Sequence, residues 1–391
     1  MKLLYRHIER IITQLAQQYP VITITGPRQS GKTTLVQKLF PDKEYFNLEN
    51  PDIREFARSD PRQFLKGKDN GVILDEIQRV PQLLSYLQEI VDSQQTAGRY
   101  ILTGSNQFSL LSNITQSLAG RTVLLKLLPF SLLELKGQRD SFQADDWMYY
   151  GFYPGVYKEN REPSIAYRSY YETYLERDVR QLINIKDIAP FQRFVRLCAG
   201  RIGQVFNASH LANETGVSVP TITSWVSILQ ASYAVMLLQP YYENINKRLV
   251  KTPKLYFYDV GLATYLLGIE NQEQLSRDPL RGALFENMVV MELVKMRYNQ
   301  AKDHHLYFYR DSHQNEVDIV HKRAHRFVTF EVKSAQTFHS DFLKGLKYFS
   351  NLFPERVERG FVVYDGHVEQ RIQEFEVVNF RRAGEMMQGD G

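Results

Sequence analysis

A glycine-rich segment, GPRQSGKTT at residues 26–34, is the first candidate for a binding site in the sequence. Gly26 and Gly31 would let the backbone curl so that its N–H groups face an anion, and the following helix would add its positive N-terminus. Lys32 would reach the β- and γ-phosphates of a nucleotide, while Thr33 would ligate magnesium. The spacing thus predicts an ATP- and Mg²⁺-binding loop, with contacts from Gly26, Pro27, Arg28, Gln29, Ser30, Gly31, Lys32, Thr33 and Thr34.

A second acidic element is expected on a neighbouring strand, and VILDE at residues 72–76 fits it. Asp75 would hold magnesium through its water shell, and Glu76 would polarise the attacking water. We therefore expect Thr33 and Asp75 at the metal, with Glu76 and Lys32 in catalysis. The alternative is a solvated strand end.

The segment YILTGSN at residues 100–106 would place polar groups near the γ-phosphate. Asn106 or Ser105 could position the water, although a simple turn at these residues explains the same pattern.

Arg121, in LAGRT, is a candidate arginine finger that would enter the site of a neighbouring copy. Arg28 and Arg177 are its rivals, and a structural salt bridge is the alternative for each arginine. This interpretation predicts a homo-oligomer.

A second group of candidate catalytic residues lies near the C-terminus. Glu286 falls on a predicted helix, Asp318 lies in the second strand of a predicted hairpin, and FVTFEVKSA follows. Period-two alternation puts Glu331 and Lys333 on one face of that strand. Two carboxylates could hold Mg²⁺ beside a phosphodiester, and the lysine could orient the water.

This pattern looks like the restriction-endonuclease-like (PD-(D/E)xK) nuclease core, although Val317 replaces the proline of that motif. An active cleavage site and a degenerate domain used for structure or binding both remain open. Nearby histidines are better explained as loop residues than as metal ligands; they are His304, His305 and His313.

Between about residues 20 and 130, strand-like runs alternate with helical patterns. Such alternation predicts a parallel sheet covered on both faces. The predicted strands are Val21–Thr25, Tyr45–Leu48, Val72–Asp75, Tyr100–Thr103 and Thr122–Leu127.

Residues 150–200 look helical, with a tyrosine stripe that favours packing, and residues 207–230 resemble a helix-turn-helix. Two β segments follow, so the order suggests a winged helix. Its recognition helix contains no Lys or Arg, whereas DNA binding draws on cationic phosphate contacts. Basic residues come afterwards, as Lys247, Arg248, Lys251 and Lys254. Either this wing contacts DNA or the module packs against protein, and packing is favoured.

From residue 280 the pattern is helix, hairpin, strand, helix, strand, which predicts a second α/β domain. We expect residues 381–391 to be a frayed tail.

Composition sets broad limits. The 391 residues are 43% hydrophobic and 24% charged, which predicts two or three globular domains. The net charge of +4 permits nucleic-acid contact without arguing for it. A single cysteine, Cys198, excludes an internal disulfide framework and a multi-cysteine zinc site. The sequence offers no secretory signal or membrane-spanning stretch, so we expect a cytoplasmic protein without membrane partners.

Motifs along nearly the whole chain resemble a bacterial and archaeal family of AAA-type P-loop ATPases with a C-terminal domain of unknown function. They are GPRQSGKTT, LDEIQ, ILTGSN, LAGR, LPFSLLEL, YLERDV, PKLYFYDVGL and GALFENMVVMEL. We accordingly expect a multidomain α/β protein. Its parts would be a P-loop ATPase domain (1–136), a helical linker or lid (137–190), a winged-helix module (191–265) and a restriction-endonuclease-like domain (266–385).

The favoured function is an ATP-hydrolysing switch or motor whose nucleotide state governs a nucleic-acid or protein partner. The alternatives are an ATP-dependent, Mg²⁺-requiring nuclease and a nucleotide-binding regulator with negligible turnover.

Overall fold

The computed structural model describes residues 3–68, 70–94, 96–105, 114, 117–175, 188–242 and 251–387. The chain divides into two compact units. The N-terminal unit contains Met1–Phe130, Ala231–Tyr233 and Tyr298–Lys302, and the C-terminal unit contains Ser131–Gln230, Ala234–Arg297 and Asp303–Gly391. The predicted division into four domains remains a prediction.

A five-stranded parallel sheet, in the order β2-β3-β4-β1-β5, forms the centre of the N-terminal unit. The strands are β1 (Val21–Thr25), β2 (Glu44–Asn47), β3 (Val72–Asp75), β4 (Tyr100–Gly104) and β5 (Thr122–Lys126). The three inner strands are buried along their whole length, as expected for apolar runs that helices cover on both faces. The predicted parallel sheet is confirmed.

Successive residues of the inner strands point into two different apolar layers. On β1, Val21 joins one layer, while Ile22 and Ile24 join the other. The helices that accompany the sheet are α1 (Glu9–Leu15), α2 (Lys32–Leu39), α3 (Pro51–Ser59), α4 (Pro61–Leu65) and α5 (Leu83–Ser93), with a 3₁₀ turn at Ile77–Arg79. Because all five strands are parallel, their carboxyl ends share one edge of the sheet, where the phosphate loop begins.

The C-terminal unit begins with helices. They are α6 (Ala144–Tyr150), α7 (Pro154–Lys158), α8 (Pro163–Tyr170), a π-helical turn (Tyr171–Leu175), α9 (Ala189–Ala199), α10 (Ala208–Thr215) and α11 (Val219–Ala231). Tyr167, Tyr170 and Tyr171 of the predicted stripe are buried, as the packing interpretation expects.

A short turn joins α10 to α11, and Gly216 ends α10 in the left-handed region, at φ +73°. An antiparallel pair follows, formed by β6 (Val235–Leu238) and β7 (Lys254–Phe257). Two helices, α12 (Val260–Leu266) and α13 (Gln272–Ser276), come next.

A long helix, α14 (Arg281–Tyr298), leads into a mixed six-stranded sheet in the order β12-β13-β11-β10-β9-β8. Its strands are β8 (Leu306–Arg310), β9 (Glu316–Arg323), β10 (Arg326–Lys333), β11 (Val357–Tyr364), β12 (Gln370–Ile372) and β13 (Phe375–Asn379). A 3₁₀ turn (Ser340–Leu343) and helix α15 (Lys344–Leu352) connect β10 to its parallel neighbour β11. This is the predicted order of helix, hairpin, strand, helix and strand.

The prediction of a frayed tail is wrong for its first part. Residues Phe380–Met387 form a 3₁₀ helix that buries Phe380, Ala383 and Met387. Polar residues between these apolar positions, such as Arg381 and Arg382, conceal the buried face in the sequence. Residues 388–391 lie outside the described part of the chain.

Candidate functional site

The glycine-rich loop connects β1 to α2, as its spacing predicts. Gly26 has φ +148°, and a Cβ there would come within 2.1 Å of the Leu127 carbonyl oxygen. Gln29 and Gly31 also have positive φ, at 62° and 93°. The loop therefore curls in a way that requires glycine at Gly26, and it ends at the N-terminus of α2, where the first amides have no helical partner.

Lys32, the first residue of α2, folds back across this loop. Its Nζ donates hydrogen bonds of 3.0 Å to the Gly26 carbonyl and 2.8 Å to the Pro27 carbonyl. Burial lowers the pKa of Lys32, while the carboxylates of Glu76 and Asp75 oppose that effect. The ammonium group is thus held inside the curl, within the field of both acids.

Asp75, at the end of β3, collects hydroxyl donors from three neighbouring segments. Thr33 Oγ1 donates to Asp75 Oδ2 at 2.8 Å, and the Tyr45 hydroxyl donates to the same oxygen at 2.7 Å. Thr103, on β4, donates to Asp75 Oδ1. Burial, together with Asp75, raises the pKa of Tyr45, so this phenol stays protonated at neutral pH.

Glu76 follows β3 in the left-handed region, with φ +57°. Ser105 Oγ donates a 2.9 Å hydrogen bond to Glu76 Oε2, and the Gln78 amide donates to the same oxygen. A non-glycine residue in this backbone region costs about 1–3 kcal/mol, so the surrounding contacts must hold it there. The carboxylate is fixed beside the loop.

These residues fit a magnesium nucleotide. The buried Ser30 hydroxyl has no hydrogen-bond partner within the described residues. Lys32 would face the phosphates, while Thr33 and Asp75, already 2.8 Å apart, would hold the metal. Bound Mg²⁺ would neutralise charge that develops on the phosphates, and Glu76 would accept the proton of an attacking water.

The arginine candidates differ in position. Arg121 precedes β5, which pairs in parallel with β1, so it lies at the amino ends of the strands rather than beside the loop. A five-residue strand spans roughly 17 Å, so Arg121 is out of reach of its own site. It forms a two-point ion pair with Asp92, with Nη2 to Oδ2 at 2.9 Å. Arg28 lies 3.4 Å from Glu49. Asn106 and Arg177 lie outside the described residues.

The predicted C-terminal residues come together in the C-terminal unit. Lys333 Nζ lies 2.6 Å from Glu331 Oε1 and 3.8 Å from Asp318 Oδ2. The Val332 amide donates to Asp318 Oδ2 at 2.8 Å. Burial, reinforced by Asp318, raises the pKa of Glu331 to about 8. Glu331 Oε2 is buried without a hydrogen-bond partner in the described part of the chain.

Glu286, on α14, contacts a residue that the sequence did not assign to this cluster. Lys254 Nζ lies 3.3 Å from Glu286 Oε1 and 2.5 Å from Glu316 Oε1. The Tyr256 hydroxyl also donates to Glu286 Oε1. Burial opposes the charge on Lys254, yet the surrounding acidic groups raise its pKa well above the ordinary value. Lys254 is therefore a buried ammonium group between two carboxylates.

This arrangement does not fit a metal ion. Lys333 engages Asp318 and Glu331, whereas Lys254 engages Glu286 and Glu316. Across the described ranges, no group of three or more His, Cys, Asp or Glu side chains is placed to hold a metal. The predicted residues meet, but as ion pairs with lysine.

Sequence reasoning missed three residues of the nucleotide site, which are Tyr45, Gln78 and Thr103. Tyr45 and Thr103 lie on strands that flank β3, so their polar side chains near strand ends were the available signal. Within the described part of the chain, the helices are too short or too polar to cross a membrane.

Comparison with known families divides the chain into three parts. Residues 18–136 match an AAA domain. Residues 141–273 match a domain of unknown function (DUF8612), and residues 281–382 match another (DUF4143). The AAA match covers β1 to β5 together with the phosphate loop, and it supports the assignment to AAA-type P-loop ATPases.

Individual proteins also match over most of this chain. The uncharacterized protein Rv2008c of Mycobacterium tuberculosis is 33% identical over 322 residues, which cover 81% of this chain and 71% of that protein. The uncharacterized protein Mb2031c of Mycobacterium bovis gives the same values. An uncharacterized protein of Haemophilus influenzae is 24% identical over 311 residues, covering 71% of this chain and 74% of that protein.

Among solved structures, the Walker-type ATPase of Pyrococcus abyssi aligns with 66% of this chain and 94% of that chain, at 15% identity and a TM-score of 0.44.

Proposed function

The chain belongs to the same protein family as Rv2008c of Mycobacterium tuberculosis, and we propose that it is an ATP-hydrolysing, AAA-type switch or motor. The observation that carries this proposal is the convergence of Lys32, Thr33, Asp75 and Glu76 at the carboxyl edge of one parallel sheet. Lys32 would bind the phosphates, Thr33 and Asp75 would hold Mg²⁺, and Glu76 would activate the water. Ser105 and Gln78 would keep Glu76 in position.

Calorimetry with ATP and Mg²⁺ tests the binding step. Lys32→Met keeps the bulk of the side chain but removes the ammonium group, so ATP affinity should fall on the order of 30-fold or more. Lys66→Met, at an exposed position of the same unit, is the control and should bind ATP like the native chain. Equal affinity in all three proteins would refute the proposed role of the loop.

We further propose that the AAA domain acts as a homo-oligomer. Support comes from Arg121, which lies at the far edge of the sheet from its own loop and is exposed enough to meet a neighbouring copy. In an active assembly the Asp92 ion pair would open, and the guanidinium would face the nucleotide of the next copy.

The C-terminal unit would be the part that engages a partner. The order of α10, α11, β6 and β7 supports a winged-helix module. The exposed surface of α11 consists of uncharged residues, which favours contact with protein over the DNA backbone. These exposed residues are Val219, Pro220, Thr223 and Ser224. The basic Lys247 and Arg248 lie outside the described residues.

The order of α14, β8, β9, β10, α15 and β11 supports a restriction-endonuclease-like fold for residues 266–385. An ATP-dependent nuclease is therefore the second candidate function. It would use Asp318, Glu331 and Lys333, which lie together. The ion pairs that Lys254 forms with Glu286 and Glu316 argue against it. Plasmid nicking with Mg²⁺ separates the two: equal cleavage by native protein and Asp318→Ala discards the nuclease.

The third candidate is a nucleotide-binding regulator with negligible turnover. It shares every binding residue with the ATPase, so calorimetry does not distinguish them. Phosphate release by the native chain and by Glu76→Gln does, because only an ATPase needs the carboxylate.

A further inference from the structure

Lys254 takes a position in the C-terminal unit that its place in the sequence does not suggest. It lies on β7, in the part of the chain that matches DUF8612, whereas the acids around it belong to the part that matches DUF4143. Only 3% of the residue is exposed. A lysine buried to this extent needs charged partners, because burial of an isolated ammonium group is unfavourable.

Those partners are carboxylates from two different elements. Glu286 comes from α14 and Glu316 from β9, and Lys254 Nζ lies 3.3 Å and 2.5 Å from their respective oxygens. The Phe308 ring lies below the ammonium group, with its centroid 5.4 Å from Nζ. The cation is thus enclosed by two negative groups and an aromatic face, all of which favour its charge.

Glu286 makes further contacts beside the one with Lys254, and 18% of its side chain is exposed. The Tyr256 hydroxyl donates to the same Glu286 oxygen that Lys254 contacts. Gly203 lies against this carboxylate, and a Cβ there would approach it within 3.6 Å. Next in sequence, Asn287 binds the β7 backbone at Phe257 through both its amide oxygen and its amide nitrogen, at 2.7 and 3.0 Å. Helix α14 is therefore fixed to β7 beside Lys254.

The remaining acids contact a second lysine. Lys333 Nζ contacts Glu331 at 2.6 Å and lies 3.8 Å from Asp318. Each lysine thus contacts two of the four carboxyl groups, and Arg310 Nε also lies 3.4 Å from Glu316 Oε2. A divalent cation at Asp318 and Glu331 would have to enter beside Lys333 and near Lys254, whose like charges oppose it.

We propose that Lys254 is the resident cation of this acidic cluster and stands in place of a metal ion. The cluster would then join the DUF8612 and DUF4143 parts of the chain, and neither part would contain it alone. The C-terminal domain would serve as a binding unit without metal-dependent cleavage. This inference does not depend on ATP hydrolysis.

Manganese binding to the full-length, nucleotide-free chain tests the proposal, with free Mn²⁺ followed by electron paramagnetic resonance. Native protein and its Asp318→Asn variant should take up the same amount of Mn²⁺, because the acidic cluster of the native chain binds none. Lys254→Gln deletes the charge but keeps a hydrogen-bond donor, and it should gain about one Mn²⁺ per chain. Adding Asp318→Asn to that variant should abolish the gain.

Two controls accompany the titration. Lys254→Arg keeps the charge and should gain no Mn²⁺, and Lys251→Gln removes a nearby exposed lysine and should also gain none. Native binding that depends on Asp318 would overturn the proposal, as would a folded Lys254→Gln variant that gains no ion. If Lys254→Gln does not fold, the native titration still decides, because Asp318-dependent uptake by the native chain contradicts the proposal and its absence supports it.

Discussion

The Thr33 hydroxyl donates a 2.8 Å hydrogen bond to Oδ2 of Asp75, which joins the start of α2 to the end of β3. These residues are 42 positions apart in the sequence and come from separate motifs. Their contact places two oxygen atoms of the kind that bind Mg²⁺ side by side at the strand edge where the phosphate loop opens. That juxtaposition is what magnesium at a nucleotide requires.

The magnesium site can be tested with a matched pair of substitutions. Thr33→Val removes an expected ligand, so the Mg²⁺ concentration for half-maximal ATP turnover should rise on the order of tenfold. Tyr45→Phe removes a hydrogen-bond donor to Asp75 but no expected metal ligand. The Mg²⁺ concentration for half-maximal turnover should therefore change less than about threefold. A magnesium titration of turnover measures both. Equal effects of the two substitutions would contradict the assignment of Thr33 as the ligand.

The arginine-finger interpretation predicts complementation between inactive chains. Arg121→Ala should keep ATP affinity but lose turnover on the order of 10³-fold, whereas Arg62→Ala, at another exposed ion pair of the same unit, should remain active. Mixing Arg121→Ala with Glu76→Gln should restore part of the turnover, because some interfaces then combine an intact arginine with an intact acid. Phosphate release from the mixture measures this. No recovery would show that Arg121 does not act between copies.

We predict that the stability of the C-terminal unit depends on pH because of the buried Glu292. This buried carboxylate accepts a 2.8 Å hydrogen bond from the Leu132 amide, and burial raises its pKa from 4.5 to about 7. The folded state therefore binds more protons than the unfolded state between these values, so the free energy of unfolding falls as pH rises through this window.

Urea denaturation at pH 5 and pH 8 measures the effect. Native protein should lose on the order of 2–3 kcal/mol of stability relative to Glu292→Gln over this range, because the variant has no proton to release. Glu273→Gln, at an exposed position, should follow the native slope. If the free energy of unfolding of Glu292→Gln fell with pH as steeply as that of the native protein, the pH dependence would not come from Glu292.

The position of the phosphate loop between β1 and α2 was largely predictable because its signals are local. A buried β-run followed by a loop with Gly26, Gly31 and Lys32 specifies strand, curl and helix within a few residues. Asp75 and Glu76 were found in the same way, at the end of an apolar run. The backbone conformations and hydroxyl partners of these two acids could not be predicted, because the Tyr45 contact depends on the pairing of β2 with β3.

The C-terminal cluster was predicted only in part for the same reason. Alternation along β10 put Glu331 and Lys333 on one face, and the structure brings them within 2.6 Å of each other. The contact between Lys254 and Glu286 joins segments that are 32 residues apart, and no periodicity in either segment reveals it. The sequence assigned Lys254 to a basic wing, since a lysine beside other basic residues normally indicates an exposed surface.

Whether this chain hydrolyses ATP is decided by comparing the turnover of native protein with that of Glu76→Gln, each with Mg²⁺ and at a protein concentration that permits self-association. Native protein should release phosphate continuously. Glu76→Gln should bind ATP with similar affinity and release phosphate on the order of 10²–10³-fold more slowly. Equal rates in the two proteins, or no release by the native chain, would contradict the account of this chain as an ATPase.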